Sequence, residues 1–245
     1  MIITLITPTY NSATFLNKHI ESVKEQKIVN LEHIFIDNLS SDRTLEILNN
    51  YKKSVKYKVK IYSKKDRGIY YAFNKGLKLA KGEIITILNS DDFFFNKSVL
   101  SDVVKNFKKL NNDFMYGNIK VVLRNNIKKT LRKWNSEMLH DNNYFKIPHP
   151  SFFIKKKFIL NNNIYFKTSF KISSDLDFMI RCVKKSKKFN HLNKVLVNQR
   201  SGGTSQKFIN IFISNFEVYK ILVINKIDRK LYFIFKKILY KICQF

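Results

Sequence analysis

Four short apolar runs, rich in isoleucine and valine, alternate with amphipathic segments over residues 1–110. The runs have the length and composition of buried strands, and they are 2–7, 32–36, 59–62 and 83–88. The segments between them carry apolar residues at helical spacing, so each is predicted to form a helix. Alternating strands and helices favour a parallel sheet with right-handed crossovers and helices on its faces. This part of the chain is therefore predicted to have an α/β fold.

Acidic residues follow two of these predicted strands. Asp37 comes directly after the second strand, and Asp91 and Asp92 come shortly after the fourth. Ligands of open α/β sheets bind at the carboxyl ends of the strands, so these carboxylates would face a ligand. Two neighbouring carboxylates suit a hard divalent cation, and such a cation suits a diphosphate. The alternative is that residues 89–92 only form a turn and cap the next helix, because Asn, Ser and Asp favour turns.

The chain is poor in acids, with 18 Asp and Glu against 46 Lys and Arg, and it still groups its aspartates. Seven of its eleven Asp fall into four short clusters: Asp37 and Asp42, Asp66, Asp91 and Asp92, Asp175 and Asp177. The net charge of +28 permits binding to anionic membranes, nucleic acid or anionic substrates. Only seven of the 46 basic residues are Arg, however, and specific reading of bases favours the bidentate fork of Arg. An anionic membrane surface is therefore retained as a partner, and specific nucleic acid is not expected.

Cysteine usage and hydropathy argue against several classes of protein. Cys182 and Cys243 are far apart and form no CxxC pair, so neither a disulfide framework nor a zinc site is indicated. The chain starts with a strand-like run that has no basic region before it, which is not the pattern of a signal peptide. It has no uncharged apolar stretch of about eighteen residues, so no spanning helix is expected. These features predict a cytoplasmic protein, peripheral on the cytoplasmic face of the membrane.

The regular alternation ends after about residue 110. The elements predicted beyond it are a strand or hairpin arm, an irregular stretch, a short strand and a last strand, at 114–123, 130–147, 152–154 and 192–197. Asp175 and Asp177 lie in the first turn of a helix that Ser173 and Ser174 are predicted to cap. If the ligand is a nucleotide diphosphate attached to a group that is transferred, the hydroxyl that displaces the diphosphate needs a base. Asp175 at this helix N-terminus is the candidate for that base. Asp177 lies roughly 200° further around the helix, so the two carboxylates cannot both face one ligand.

Residues 208–245 are predicted to form a separate, basic helical tail. In its last part, seven apolar residues recur at helical spacing on one face, and four lysines lie off that face. This is the pattern of a helix that lies in a membrane interface. A helix that packs on the preceding domain has the same pattern, so both alternatives stay open.

Five motifs, in order along the chain, resemble those of family 2 glycosyltransferases. Four are similar to donor-site motifs and the fifth to the acceptor-side motif with the base, and they lie at 7–11, 37–44, 66–76, 89–92 and 174–177. Within the family the chain looks most like small bacterial enzymes of surface polysaccharide synthesis, of the colanic acid or O-antigen type. The resemblance implies a GT-A fold: a Rossmann-like nucleotide-binding domain whose mostly parallel central sheet is flanked by helices. We therefore expect a GT-A domain at 1–207, with a donor half at 1–110 and an acceptor half at 111–207, before the helical tail.

The same resemblance implies roles for individual residues. The residues that would bind the donor nucleotide are Pro8, Thr9, Tyr10, Asp37, Asp66, Arg67 and Asp91. Asp92 would hold a divalent metal, Mg or Mn, and Asp175 would be the catalytic base. His149 would line the acceptor pocket. A loop that could close over the diphosphate would be formed by Gly202, Gly203 and Thr204.

The function implied by the resemblance is transfer of one sugar, with inversion at the anomeric carbon. The donor would be a nucleotide sugar, and the acceptor a lipid-linked or oligosaccharide intermediate of a bacterial surface polysaccharide. The Gln-x-x-Arg-Trp motif of processive synthases is absent, which favours single-sugar transfer. The alternatives from other classes are a basic nucleic-acid-binding protein and a non-catalytic nucleotide-binding adaptor. Turnover of a nucleotide sugar distinguishes an enzyme from both.

Overall fold

The computed structural model describes residues 1–27, 30–139, 143–203 and 208–242. The elements of the first half are β1 (Ile3–Thr9), α1 (Ala13–Lys24), β2 (Leu31–Asp37), α2 (Thr44–Ser54), β3 (Lys58–Ser63), α3 (Ile69–Leu79), β4 (Ile84–Ile87), β5 (Phe93–Phe94) and α4 (Val99–Leu110). Those of the second half are β6 (Phe114–Leu123), β7 (Asn126–Trp134), β8 (Phe153–Lys155), α5 (Lys156–Asn162), α6 (Ser174–Lys185), β9 (Phe189–Arg200), α7 (Phe208–Ile224) and α8 (Lys230–Ile242). Two short 3-10 helices, Tyr144–Lys146 and His149–Ser151, precede β8.

The strands form one mixed sheet in the order β3-β2-β1-β4-β8-β6-β9-β5, and β7 pairs with β6 off this path. Neighbouring strands are parallel from β3 to β4, and β6 is parallel to β9. β8 is antiparallel to both of its neighbours, and β5 is antiparallel to β9. The helices α1, α2 and α3 connect the parallel strands, as the alternation predicts. The α/β class and the presence of C-terminal helices are confirmed.

The parallel register brings the strand ends to one edge of the sheet. Thr9 pairs with Asp37, and Asp37 pairs with Ser63. β4 ends at Ile87, opposite Ile6 of β1, so the segment after β4 leaves the sheet beside the last residues of β1. The polar residues that follow β1, β2 and β4 are therefore neighbours in space, although they are far apart in the sequence.

Helices cover both faces of the sheet because the side chains of its central strands alternate between those faces. Ile34 and Ile36 belong to a buried cluster with α3 and α6, whereas Phe35 packs with α1 and α2. A third cluster joins β1 and β4 to α4. Removal of these apolar side chains from water is the main favourable contribution to folding.

Two strand predictions are wrong in the second half. Residues 130–134 are not irregular, because β7 runs to Trp134 and is paired with β6. The last strand is longer than 192–197 and spans Phe189–Arg200, since β6 offers it a partner over most of its length. In both cases the pairing partner, and not the local composition, extends the strand.

The C-terminal helices pack against the rest of the chain through their inner faces. Ile221 and Leu222 of α7 and Phe233 of α8 are buried in the same cluster as α3 and α6. The outer faces carry exposed large apolar side chains: Ile211, Phe212, Ile213, Phe216, Tyr219, Val223, Ile224, Leu231, Tyr232, Phe235, Ile238 and Leu239. The inner faces of the two helices therefore pack on the preceding domain. Contact of their outer faces with a membrane stays a prediction. In the described residues no helix is both long enough and apolar enough to cross a bilayer.

Candidate active site

A cleft of about 550 Å³ opens at the carboxyl ends of β1 and β4. Six of the predicted site residues line it, and they are Pro8, Thr9, Tyr10, Asp66, Asp91 and Gly203. The turn at Gly68 also lines it, with a φ of 142° that glycine adopts readily and other residues rarely do. The cleft has the size and the few convergent polar groups of a small-molecule site.

Asp37 lies behind the cleft and is fully buried. Its Oδ1 accepts hydrogen bonds from the hydroxyls of Thr9 (3.0 Å) and Ser40 (2.5 Å). Its Oδ2 accepts the Ser40 N–H (3.0 Å) and the Ser63 hydroxyl (2.7 Å). Four donors on one carboxylate hold the ends of β1, β2 and β3 together. A contact between Asp37 and a nucleotide base stays a prediction, because the structure does not bring its side chain into the cleft lining.

The two adjacent aspartates have different surroundings. Asp91 is 27% exposed and lines the cleft, where its Oδ2 lies 3.4 Å from a guanidinium nitrogen of Arg124. Asp92 is only 2% exposed, and its Oδ1 accepts the backbone N–H of Arg200 at 3.0 Å. Burial, and next the neighbouring charge of Asp91, raise the pKa of Asp92 well above its ordinary value.

The second carboxylate oxygen of Asp92 fits the ligation of a cation. This Oδ2 is buried and has no hydrogen-bond partner within the described residues. A buried carboxylate oxygen without a partner is costly, and a hard divalent cation beside Asp91 would satisfy it. No group of three or more His, Cys, Asp and Glu side chains that could hold a metal occurs in the described ranges. A cation at this position would therefore take its remaining ligands from a bound molecule, as Mg²⁺ commonly does with phosphates.

Two arginines stack on Phe15 at the edge of the cleft. The guanidinium carbons of Arg124 and Arg200 lie 4.4 and 4.8 Å from the centre of the Phe15 ring. Arg200 donates to the backbone carbonyl of Arg124 at 2.7 Å, and its Nε is buried without a partner among the described residues. Sequence reasoning missed Arg124. The available signal was the scarcity of arginine in a chain whose basic residues are nearly all lysine.

Asp175 lies half-buried in the first turn of α6, in the second half of the chain. Its Oδ1 accepts the N–H of Leu176 at 2.9 Å. Burial raises the pKa of Asp175, and the nearby His149 and Lys237 oppose that shift. Asp177 is fully buried and forms ion pairs with Arg181 (2.8 Å) and Lys167 (3.2 Å). The two aspartates thus have separate surroundings, and Asp175 is the one without an ion pair at contact distance among the described residues.

His149 lies in the second 3-10 helix and packs between aromatic rings. Its ring stacks on Phe73 at 5.5 Å and meets Phe166 edge to face at 5.8 Å. Burial lowers the pKa of His149, while the nearby Asp175 raises it. The structure therefore brings His149 and Asp175 together, and an acceptor contact for His149 stays a prediction.

The other predicted positions divide between the cleft and its surroundings. Asp66 lines the cleft and donates its N–H to the Asn38 side chain at 2.6 Å, and burial raises the pKa of its carboxyl. Arg67 is exposed and lies outside the cleft lining. Gly202 has a φ of 84° beside Arg124 and does not line the cleft, whereas Gly203 does. Thr204 falls outside the described residues.

A sheet of this topology, with a cleft and an acidic pair at its strand ends, is the arrangement of the GT-A fold. The chain belongs to this class by sequence as well: it is a member of glycosyltransferase family 2, whose model (Glycosyl transferase family 2) matches residues 4–174. This match confirms the family that the five motifs resemble, and it makes the chain a transferase.

Relatives and solved structures agree with this assignment. The chain is 30% identical to the poly(ribitol-phosphate) beta-glucosyltransferase of Bacillus spizizenii, over 78% of this chain and 31% of that protein. S. aureus TarS 1-349 in complex with UDP-GlcNAc has a TM-score of 0.73 at 20% identity, covering 91% of this chain and 66% of that one. The mannosyltransferase PcManGT of Pyrobaculum calidifontis, in complex with GDP-Man and Mn²⁺, has a TM-score of 0.68 at 16% identity, covering 90% and 63%. The chain thus spans about one third to two thirds of the length of these proteins.

Proposed function

We propose that this chain is a metal-dependent, inverting glycosyltransferase that adds one sugar to a lipid-linked or oligosaccharide acceptor of a bacterial surface polysaccharide. One observation carries the proposal. A cleft at the strand ends combines the carboxylate of Asp91 with the guanidinium of Arg124, while α6 of the other half carries Asp175 as an available base.

The donor is a nucleotide sugar, and its nucleoside lies along the ends of β1 and β2. Tyr10 lines the cleft with 62% of its side chain exposed, which suits stacking on a base. Pro8 and Thr9 contact the same base, and Asp66 lies further along the nucleotide. UDP-GlcNAc in the TarS complex and GDP-Man in the PcManGT complex support a nucleotide sugar as the class of donor.

Asp92, with Asp91 beside it, would hold Mg²⁺ or Mn²⁺ together with the oxygens of the diphosphate, and Asp91 would also contact the donor nucleotide. When bound, the cation neutralises the negative charge that develops on the leaving diphosphate. Arg124 and Arg200 stabilise the same charge, since donors aimed at a developing charge are most effective where water is scarce. Gly203, which lines the cleft, and Gly202 beside it would lie over this region. Mn²⁺ in PcManGT supports the choice of cation.

Asp175 acts as the general base for the acceptor. It accepts the proton of the acceptor hydroxyl while that oxygen forms a bond to the anomeric carbon. The bond from this carbon to the diphosphate oxygen breaks on the opposite face, so the configuration inverts and the nucleoside diphosphate leaves. His149 lines the acceptor side next to Asp175. A raised pKa suits this role, because a stronger base accepts the proton more readily.

The acceptor is presented at the cytoplasmic face of an anionic membrane. The exposed apolar residues of α7 and α8 support this location, and so do lysines on the same helices. Lys220 lies 4.4 Å from the Phe216 ring and Lys236 lies 4.5 Å from the Tyr232 ring. A helix that lies in a lipid interface typically carries lysines on its polar face and aromatic or leucine residues on its apolar face. The name of the Bacillus relative, which acts on poly(ribitol-phosphate), supports a surface polymer as the product class.

A nucleotide panel tests the proposal. Thermal unfolding would be measured with UDP, GDP, dTDP and CDP, each with and without Mn²⁺ or Mg²⁺, because a ligand of the native state raises the melting temperature. One nucleotide should stabilise the protein only with metal present, and its sugar should be transferred to an acceptor extract. Stabilisation without turnover would instead favour the non-catalytic adaptor. Salt-dependent duplex binding without any nucleotide effect would favour the nucleic-acid-binding alternative.

A further inference from the structure

We propose that Tyr70 and Glu217 are positioning residues that together hold the segment 171–174 and thereby place Asp175. This inference rests on the proposed role of Asp175 as the base. Tyr70 belongs to α3 of the donor half, and Glu217 belongs to α7 of the C-terminal tail. The two side chains reach the same short segment from opposite ends of the sequence.

Glu217 receives three successive backbone N–H groups. Its Oε1 accepts the N–H of Lys171 at 2.6 Å, and its Oε2 accepts those of Ile172 (3.0 Å) and Ser173 (2.9 Å). The side chain is buried. Hydrogen bonds to a charged acceptor are roughly twice as strong as neutral ones. One carboxylate therefore fixes the backbone directly before α6.

The hydroxyl of Tyr70 fixes the same segment from the other side. It donates to the carbonyl of Ile172 at 2.5 Å and accepts the N–H of Ser174 at 3.1 Å. The Tyr70 ring is buried and stacks on Phe166 at 5.8 Å, so the hydroxyl has little freedom to move. Five backbone groups of four consecutive residues are thus bound by two side chains.

The bound segment leads directly to the base, because Asp175 follows Ser174 in the chain. A shift of this backbone moves the Asp175 carboxylate with it, and misplacement of a catalytic group by about 1 Å can cost on the order of a hundredfold in rate. Tyr70 also lies two residues after Gly68, which lines the donor cleft. The same hydroxyl therefore connects the wall of the donor cleft with the segment that carries the base.

The test compares Glu217→Gln and Tyr70→Phe with two control variants. Gln keeps the size of Glu but turns an amide group towards three N–H donors, and Phe removes only the hydroxyl. Tyr219→Phe and Glu25→Gln are the controls. Both side chains are exposed, and the two substitutions repeat the chemical changes of the test variants. The measurements are hydrogen exchange of the amides of residues 171–174, thermal stability, and kcat and donor KM of the full chain with metal.

Both variants should increase amide exchange at 171–174 about tenfold or more, because each removes hydrogen bonds to a buried acceptor. They should lower kcat by on the order of tenfold to a hundredfold and leave donor KM within about twofold, with both controls close to wild type. Faster exchange with unchanged kcat overturns the positioning role, and so does unchanged exchange. If Asp175→Asn itself turns over as fast as wild type, the base assignment fails instead, and this inference fails with it.

Discussion

The proposed donor half (1–110) and the proposed acceptor half (111–207) hold their candidate site residues by different means. In the donor half, Pro8 and Thr9 end β1 and Asp91 follows β4, and the parallel register of these strands brings them to one edge of the sheet. In the acceptor half, Asp175 follows a segment that is held by side chains of α3 and α7. Backbone register is repeated over many hydrogen bonds, whereas the second arrangement depends on a few individual contacts. Supporting residues should therefore matter more in the acceptor half.

The largest effect is expected at the base itself. Asp175→Asn should lower kcat by on the order of 10²- to 10⁴-fold, because the amide cannot accept the proton of the acceptor hydroxyl. The thermal shift produced by the nucleoside diphosphate should not change, since Asp175 does not line the cleft. Asp228→Asn, an exposed control, should behave like wild type. If Asp175→Asn transfers the sugar at the wild-type rate, the assignment of Asp175 as the base is wrong.

The second largest loss of activity is expected from changes in the acidic pair of the donor half. Asp91→Asn and Asp92→Asn should each lower kcat/KM by about a hundredfold, because ligation of the cation is weakened. A chelator should abolish transfer by the wild type, and Mn²⁺ or Mg²⁺ should restore it. Each variant should require a higher metal concentration for half-maximal rate. Full activity in the presence of the chelator would contradict the role of the pair.

The outer faces of the tail are expected to decide membrane binding without affecting the donor half. Leu231 and Phe235 are 75% and 57% exposed, so the double change Leu231→Ser with Phe235→Ser leaves the core unchanged. It should reduce partition onto vesicles with phosphatidylserine by about tenfold or more, since both side chains lose apolar burial in the interface. Leu160→Ser, exposed outside the tail, is the matched control. If the double variant and Leu160→Ser partition equally onto the vesicles, the outer faces of the tail do not bind the membrane.

A change near the base should move the pH profile. Burial lowers the pKa of Lys237 to about 8, and this residue favours the ionised form of Asp175 together with His149. Tyr70 also faces Asp175 and stays neutral. Lys237→Met removes a positive charge, so the pKa of Asp175 rises and less of the base is ionised at low pH. The acidic limb of kcat/KM should shift upwards by less than about one pH unit, whereas Lys236→Met should leave it in place.

The smallest effect concerns a buried histidine beneath the donor half. His33 is fully buried between the hydroxyls of Thr7 and Tyr51, and burial holds its pKa well below the ordinary value. The unfolded chain binds this proton below about pH 6.5 and the folded chain does not, so stability is complete above that pH and decreases as the pH falls. The slope is about 1.4 kcal/mol per pH unit for one proton. Urea unfolding between pH 7 and pH 5 should show a shallower slope in His33→Gln, and identical slopes would contradict this.

Much of the donor half could be predicted from the sequence because its signals are local. The helices α1, α2 and α3 lie between the first four strands as predicted, and the apolar runs located these strands within a few residues. The acidic residues after these strands could be placed because parallel strands share an edge. The role of Asp37 was harder to foresee, since composition cannot show that four hydroxyl and amide donors occupy one carboxylate.

The acceptor half could be predicted only in part because its contacts are distant. The pairing of β8 between β4 and β6, and of β5 with β9, joins segments that no local pattern connects. Arg124 comes from the hairpin between β6 and β7, and only the fold brings it next to Asp91. The boundary at residue 207 stays a prediction, although α7 shares the buried cluster of α3.

The sequence by itself determined the family, the α/β alternation and the aspartates at the strand ends. These depend on short motifs and on periodicity, which are encoded over a few neighbouring residues. The tertiary structure decided the surroundings of each carboxylate. It buried Asp92 behind Asp91, paired Asp177 with Arg181, and left Asp175 without a close ion pair among the described residues. The physical reason is that burial and ion pairing depend on the packing of segments that are far apart in the chain.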